Sequence, residues 1–314
     1  MNIITPVFIT GLLTAMLRVA TPLLFAALGS VFTARSGVVN LALEGTMLVG
    51  AYAGYYGAYV TGSCWGGLLF AVTGGIAMQL LLGFFAISVG ANQSVAGTGI
   101  NMFALGLTTY LMTVMYGVTG RPSIVASFRK INIPVLSDTP FFGKIFFSHQ
   151  FLVYVAYILV PVCWYVLFKT PFGLRVRAVG EHPKVIDIAG GSVVRTRYAC
   201  CIIAGILTGI GGAYLSIGEL SSFSENITSG RGYIALAAVT FGKWNPIGVM
   251  GACLLFGFAD ALQLRLQTEG VPVAPQFLLM LPYVITMIAM ITVVGKTKAP
   301  ASMGKPYKKH DSRG

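Results

Sequence analysis

Few residues of this sequence have the type and spacing needed for bond-making chemistry. The three histidines, His149, His182 and His310, stand in or beside expected loops. No His-Glu-x-x-His pair of metal ligands and no Gly-x-Ser-x-Gly nucleophile turn occurs. Gly295-Lys296-Thr297 imitates the end of a phosphate-binding loop, but Met290 stands where such a loop needs its first glycine. That stretch cannot hydrolyse ATP, so an ATP-driven motor would have to be another polypeptide. The five cysteines, Cys64, Cys163, Cys200, Cys201 and Cys253, lie in apolar contexts without Cys-x-x-Cys spacing and read as helix packing. The chain reads as a non-enzyme without cofactor or metal.

What remains is a small set of polar groups in or beside long apolar runs, where they are costly and usually face a cavity. Glu44 follows Arg35 by nine residues, about 13 Å of helix. It either faces or braces a solute path, or hydrogen-bonds to a neighbouring helix. Asn92, Gln93 and Asn101 bracket the start of another run, and amides among glycines suit a helix cap or a hydrogen-bonding solute site. Arg18 falls near the outer end of the first span and can snorkel. About 12 Å of depth separates it from Glu44, so no direct pair is expected. Glu219, Glu225, Asn226 and Arg231 read as a solvated outer loop. With no charged cluster in the spans, the solute is expected to be neutral and hydrogen-bonding.

The elements that must position these groups are membrane-crossing helices. Of 314 residues 56% are hydrophobic and 10% charged, and the mean hydropathy is +0.80, far above a soluble chain. About 20 apolar residues cross a bilayer core, and Leu68–Val89, Val95–Val118, Phe151–Phe168 and Phe277–Val294 do so without a charge. The N-terminus lacks the pattern of a cleaved secretory signal and is expected to stay in the membrane. The formal charge of +12 is concentrated, with six basic residues between Lys169 and Arg197 and six between Lys296 and Arg313. That is the cytoplasmic bias of membrane loops, and it argues against nucleic acid as a partner.

Both basic segments are therefore placed in the cytoplasm, which puts 119–150 outside and the N-terminus outside. The expected fold is all-α, a polytopic bundle of about eight or nine spans with a cytoplasmic coupling helix. A first helix ends near Phe32, and Val38–Val60 and Tyr198–Ile217 add further crossings. The crossing that ends at Phe241 is short or broken, because only Tyr233–Phe241 is strictly apolar and covers about 14 Å. Part of 220–232 must then sit at membrane depth, buried in protein or lining a wet cavity. Residues 1–295 form the transmembrane domain and 296–314 a basic tail. Glycine, 39 residues of 314, recurs at helical spacing, as in Gly205, Gly209 and Gly212 or Gly50 and Gly54, which suits close helix packing in lipid.

The inner loop runs Pro171-Phe-Gly-Leu-Arg-Val-Arg-Ala-Val-Gly-Glu-His-Pro-Lys-Val-Ile-Asp-Ile-Ala-Gly-Gly191. Pro183 can open a short helix over 184–189 and Gly190-Gly191 can end it. Such a helix would either bury Val185, Ile186 and Ile188 against a partner or lie as a connector on lipid headgroups.

These segments resemble the permease superfamily of bacterial ABC importers for simple sugars, nucleosides and branched-chain amino acids. Ala34-Arg-Ser-Gly-Val-Val-Asn-Leu-Ala-Leu-Glu-Gly45 looks like its early hallmark, 173–191 like its coupling loop and 230–267 like its C-terminal core. The Ala-Asn-Gln run at 91–93 is most similar to one subunit of the nucleoside-type permeases. The resemblance implies import by alternating access in the bacterial inner membrane. It implies as partners a cytoplasmic ATPase, a paralogous permease subunit, an extracytoplasmic substrate-binding lipoprotein and a nucleoside. Residue by residue, it places Gly173, Arg175, Gly180, Glu181, Pro183, Ala189 and Gly190 on the coupling loop, beside Ile186. It places Asn40, Glu44, Asn92 and Asn101 on polar positions near the path. Other readings are a sugar or branched-chain amino acid permease, an ion-coupled secondary transporter using Glu44 or Asp260, and a membrane enzyme.

Overall fold

The computed structural model describes residues 6–117, 120, 122–132, 142–269 and 299–307, with isolated positions between 276 and 288. Helix α1 spans Pro6–Arg35, α2 Leu43–Thr61, α3 Cys64–Gly83 and α4 Gln93–Tyr116. A short pair of antiparallel strands, β1 (Lys130–Asn132) and β2 (Ser148–Gln150), brackets α5 (Phe142–Phe146). Then come α6 (Phe151–Lys169), α7 (Pro171–Glu181), α8 (Pro183–Ile188), α9 (Val193–Ala213), α10 (Arg231–Phe241) and α11 (Pro246–Thr268). Two helices run on through a wider π turn, α3 over Phe84–Val89 and α9 over Tyr214–Leu220.

Local chemistry sets many of the starts. Ser63, Asn92, Thr170, Ser192 and Asn245 each accept a backbone N–H from the first turn of the helix that follows. Proline occupies the first turn of α7, α8 and α11, where its missing N–H costs nothing.

Six described helices are long and apolar enough to cross a membrane: Val7–Arg35, Cys64–Val89, Gln93–Tyr116, Phe151–Lys169, Val193–Leu220 and Pro246–Thr268. Helix α2 is long enough, at 19 residues, but carries Glu44 and four tyrosines. It tolerates them because α1, α3, α4, α9 and α10 pack around it. Helix α10 is the short apolar stretch. The expected crossing at 277–294 lies mostly outside the described residues. The chain is thus a polytopic helical bundle.

One boundary differs from expectation. The stretch 38–42 is not helical, and α2 begins only at Leu43. The backbone of 36–38 folds back on Phe32, Thr33 and Ala34 to close α1. Beyond it, Val39 N–H donates to Gln93 Oε1 at 2.7 Å, and the Leu41 carbonyl accepts from Asn101 Nδ2 at 2.8 Å. Side chains of other helices have taken the groups that a continuous helix would have paired.

At the centre, α2, α3 and α9 approach through their glycines. A Cβ on Gly50 would lie 2.8 Å from Gly209 Cα, and one on Gly212 would lie 2.1 Å from the Met47 carbonyl. Lipid gives no hydrophobic drive for helix pairing, so contact at backbone range is what holds these helices together. Cys163, Cys200, Cys201 and Cys253 are buried in the bundle and Cys64 half-buried, all as free thiols.

The bundle has two distinct ends. The described part of the 119–150 connection lies over one of them, where Val125 N–H donates to the Ser221 carbonyl and Phe128 packs edge-on against Trp65. Arg35, α7, α8 and 299–307 gather at the other.

Candidate functional site

The loop 221–230 plunges into the bundle instead of staying on its surface. Phe223, Ile227 and Thr228 are buried, and α10 starts beside the start of α2. Between these two helix starts lies Glu44, 8% exposed. Its Oε1 accepts the Thr228 hydroxyl at 2.5 Å and the Gly230 N–H at 2.8 Å, and its Oε2 accepts the Gly232 N–H at 2.6 Å. The first turn of a helix leaves its N–H groups without internal partners, and the carboxylate of another helix supplies acceptors for two of them. Gly232 makes this possible, since a Cβ there would sit 2.4 Å from the Glu44 nitrogen.

Asn101, from the third turn of α4, locks the same region. Its Oδ1 accepts the Gly45 N–H at 2.8 Å, while its Nδ2 donates to the Leu41 carbonyl and to Tyr233 Oη at 2.9 Å. Tyr233 leaves its ring 47% exposed. A second amide pair lies alongside: Asn40 and Gln79 exchange hydrogen bonds at 3.0 and 3.1 Å, and Gln79 also donates to Thr46 Oγ1 at 2.9 Å. The structure therefore joins Glu44 and Asn101 into one network through α2 and α10, with Asn40 tied to it through Thr46. Asn92 stands apart, exposed, with its side chain capping α4 through the Ser94 and Val95 N–H groups.

The remaining charges follow the sequence expectation only in part. Arg18 is half exposed and meets Glu219 at 3.5 Å, so Glu219 belongs to a cross-helix pair and not to a free loop. Glu225 and Asn226 are exposed, whereas Arg231 donates to the Ile227 carbonyl at 3.3 Å.

At the other end, α7 folds back under α1 and α6. A Cβ on Gly180 would fall 2.0 Å from the Arg35 carbonyl, and one on Gly173 would fall 2.1 Å from the Val166 carbonyl. Arg35 donates to the Trp244 carbonyl at 2.8 Å and lies over the Phe168 ring, which Arg177 also covers. Helix α8 matches the expected short helix and has no buried residue; Val185 is 58% and Ile188 87% exposed. Ile186 turns the other way, toward a cavity of about 480 Å³ that Phe172, Arg175, Ala189 and Gly190 also line. Gly190 takes the left-handed conformation that ends α8, and Glu181 accepts the Ala301 N–H at 3.3 Å.

Residues 12–292 match the family of branched-chain amino acid transport system permease components. The chain belongs to this permease family. The guanosine ABC transporter permease NupQ of Bacillus subtilis is 41% identical to this permease over 302 residues, covering 93% of it and 95% of NupQ. The nucleoside ABC transporter permease NupC of Lactococcus lactis is 38% identical over 304 residues, with the same two shares. A Haloferax volcanii permease provisionally named for glucose is 36% identical over 272 residues, 85% of this chain and 81% of its own. No solved structure matches significantly.

Sequence reading of the permease passed over Gln79, Thr228, Tyr233 and the glycine donors. Gln79 had a usable signal, a lone amide inside an uncharged run of 22 residues from Leu68 to Val89. Thr228 and Tyr233 are ordinary residue types, and only the fold marks them.

Proposed function

We propose that this permease is the membrane subunit of an ABC importer for nucleosides. The observation that carries this reading is the near end-to-end similarity to NupQ at 41% identity. It works beside a paralogous permease subunit, a cytoplasmic ATPase and an extracytoplasmic binding lipoprotein, and hydrolyses no ATP itself. Residues 1–295 form the transmembrane domain, with the N-terminus outside and the 169–197 loop and 296–314 tail in the cytoplasm.

In this reading the Glu44–Asn101 network braces the wall of the solute path. Tyr233 supplies the group that meets solute: its hydroxyl is fixed by Asn101, so its exposed ring is held still as a platform on which a nucleobase can stack. The exposed edge of α8, Val185 and Ile188, docks in the ATPase. ATP binding favours the closed motor, and its closure drives α7 and α8 between inward and outward states of the path. A strain lacking this gene should lose nucleoside uptake and keep sugar and leucine uptake. Normal nucleoside uptake with lost glucose uptake would favour the second reading, a sugar permease, which the Haloferax relative supports.

A further inference from the structure

The coupling helix reaches the Glu44 region through its sequence neighbours, since α7 lies against the Arg35 carbonyl and α9 holds the Ser36 carbonyl. The described C-terminal residues 299–307 add a further link that grips α8, α7 and Gly37 together. Ser302 N–H and Oγ both donate to the Gly180 carbonyl, at 2.9 and 2.6 Å, at the end of α7. Two residues on, Gly304 N–H donates to the Gly37 carbonyl at 3.0 Å, in the segment that climbs from α1 to α2. Tyr307 Oη donates to Asp187 Oδ2 of α8 at 3.1 Å. Burial together with Asp187 holds the Tyr307 phenol above its ordinary pKa. Arg197, 1% exposed, ties the same pieces from α9. It donates to the Ser36 carbonyl at 3.1 Å and to the Lys305 carbonyl at 3.3 Å.

We infer that segment 299–307 is a strap that transmits movement of α8 to the 36–42 segment, and so to the helix starts held by Glu44 and Asn101. This rests on the reading of α8 as the joint with the ATPase. The physical argument is one of stiffness and continuity. The strap grips a residue of α8, the end of α7 and Gly37, and from Gly37 it is a short climb to Val39, Leu41 and Gly45, whose backbone groups Gln93 and Asn101 hold. Helix α8 alone touches the bundle mainly through α7 and α9. Ser302 and Tyr307 are positioning residues, since their contacts are with α7 and α8.

The test uses the complete importer, with its second permease, ATPase and binding protein, reconstituted in liposomes with guanosine as the solute. Two variants loosen the strap: a stop in place of Ala299, and Ser302→Ala with Tyr307→Phe, which leaves the backbone intact. Both should still bind the ATPase and hydrolyse ATP, while guanosine moved per ATP falls and its stimulation of hydrolysis is lost. A merely structural role would lower uptake and hydrolysis together and leave their ratio unchanged, and that result overturns the inference. Loss of ATPase binding also overturns it, because the strap would then belong to the docking surface. If the shortened chain does not accumulate, the double variant decides between the same outcomes. Ile188→Asp separates the two readings. If it leaves coupling normal, the α8 reading itself fails; if it uncouples while the strap variants do not, only the strap is refuted.

Discussion

Glu44 and Gly232 lie 188 residues apart in sequence, yet the Gly232 N–H meets the Glu44 carboxylate at 2.6 Å, so the start of α10 is fixed to the start of α2. Replacing Glu44 with Ala removes the acceptor for two backbone N–H groups and the Thr228 hydroxyl. Each buried donor left unpaired costs about 1–3 kcal/mol. We expect Glu44→Ala to lower the melting temperature in detergent and abolish uptake. Glu44→Gln should be intermediate, since its amide turns a donor toward one of these N–H groups. Wild-type melting and transport in Glu44→Ala would show that the network bears no load.

Gly232→Ala tests the same contact from the other side. The added Cβ would lie 2.4 Å from the Glu44 nitrogen, where only backbone could yield. Uptake should fall steeply. Gly251→Ala, whose Cβ would meet nothing within 4 Å, serves as the control and should transport normally.

Tyr233 separates solute contact from wall bracing. Stacking of a base on an aromatic ring is worth about 1–3 kcal/mol, so Tyr233→Ala should raise the half-saturating guanosine concentration about tenfold. That comparison is made in liposomes with binding protein in excess. Tyr233→Phe keeps the ring but frees it from Asn101, so it should raise that concentration by much less than Tyr233→Ala does. Equal defects in the two variants would assign Tyr233 to the wall.

Docking through α8 predicts that Ile188→Asp, at a position 87% exposed in the free permease, prevents copurification of the ATPase while the permease still inserts. A charge forced into a buried apolar contact costs several kcal/mol. Retained copurification and normal transport would leave α8 as a connector on the headgroups.

Orientation is open to chemistry at two serines. A cysteine at Ser192, the cap of α9, should react with an impermeant thiol reagent only after the membrane is opened. One at Ser137, outside the described residues, should react in intact cells. The opposite pattern would invert the topology.

The helices were legible because charge-free apolar runs announce themselves, and the short crossing was legible because 220–232 is too polar to face lipid. Glu44 stood out as a carboxylate at depth. Its partners did not, since Gly230 and Gly232 donate through the backbone, and a backbone N–H carries no residue-type signature. The late start of α2 was hidden for a related reason: Val39 and Leu41 look apolar and helical, but Gln93 and Asn101, about 55 residues away or more, claim their backbone groups. Arg18 was read by its depth and Glu219 as part of a solvated outer loop, and neither reading can show that two spans bring them side by side. The strap was marked only as part of a basic tail, and it carries one lysine itself, Lys305, whereas the contacts it makes run largely through main chain.

Glu44 occupies the first turn of α2 as well as the donors of α10, so one carboxylate faces the positive ends of two helix dipoles, together equivalent to about one elementary charge. Helix starts left open in this way commonly attract phosphate. Here the attraction is already spent on the protein's own anion, and a phosphorylated solute arriving at this wall would meet a neutralised surface backed by a carboxylate. With this network as the proposed wall of the path, the geometry that joins the two helix starts would discriminate by charge, passing an uncharged nucleoside and giving its nucleotide no electrostatic foothold.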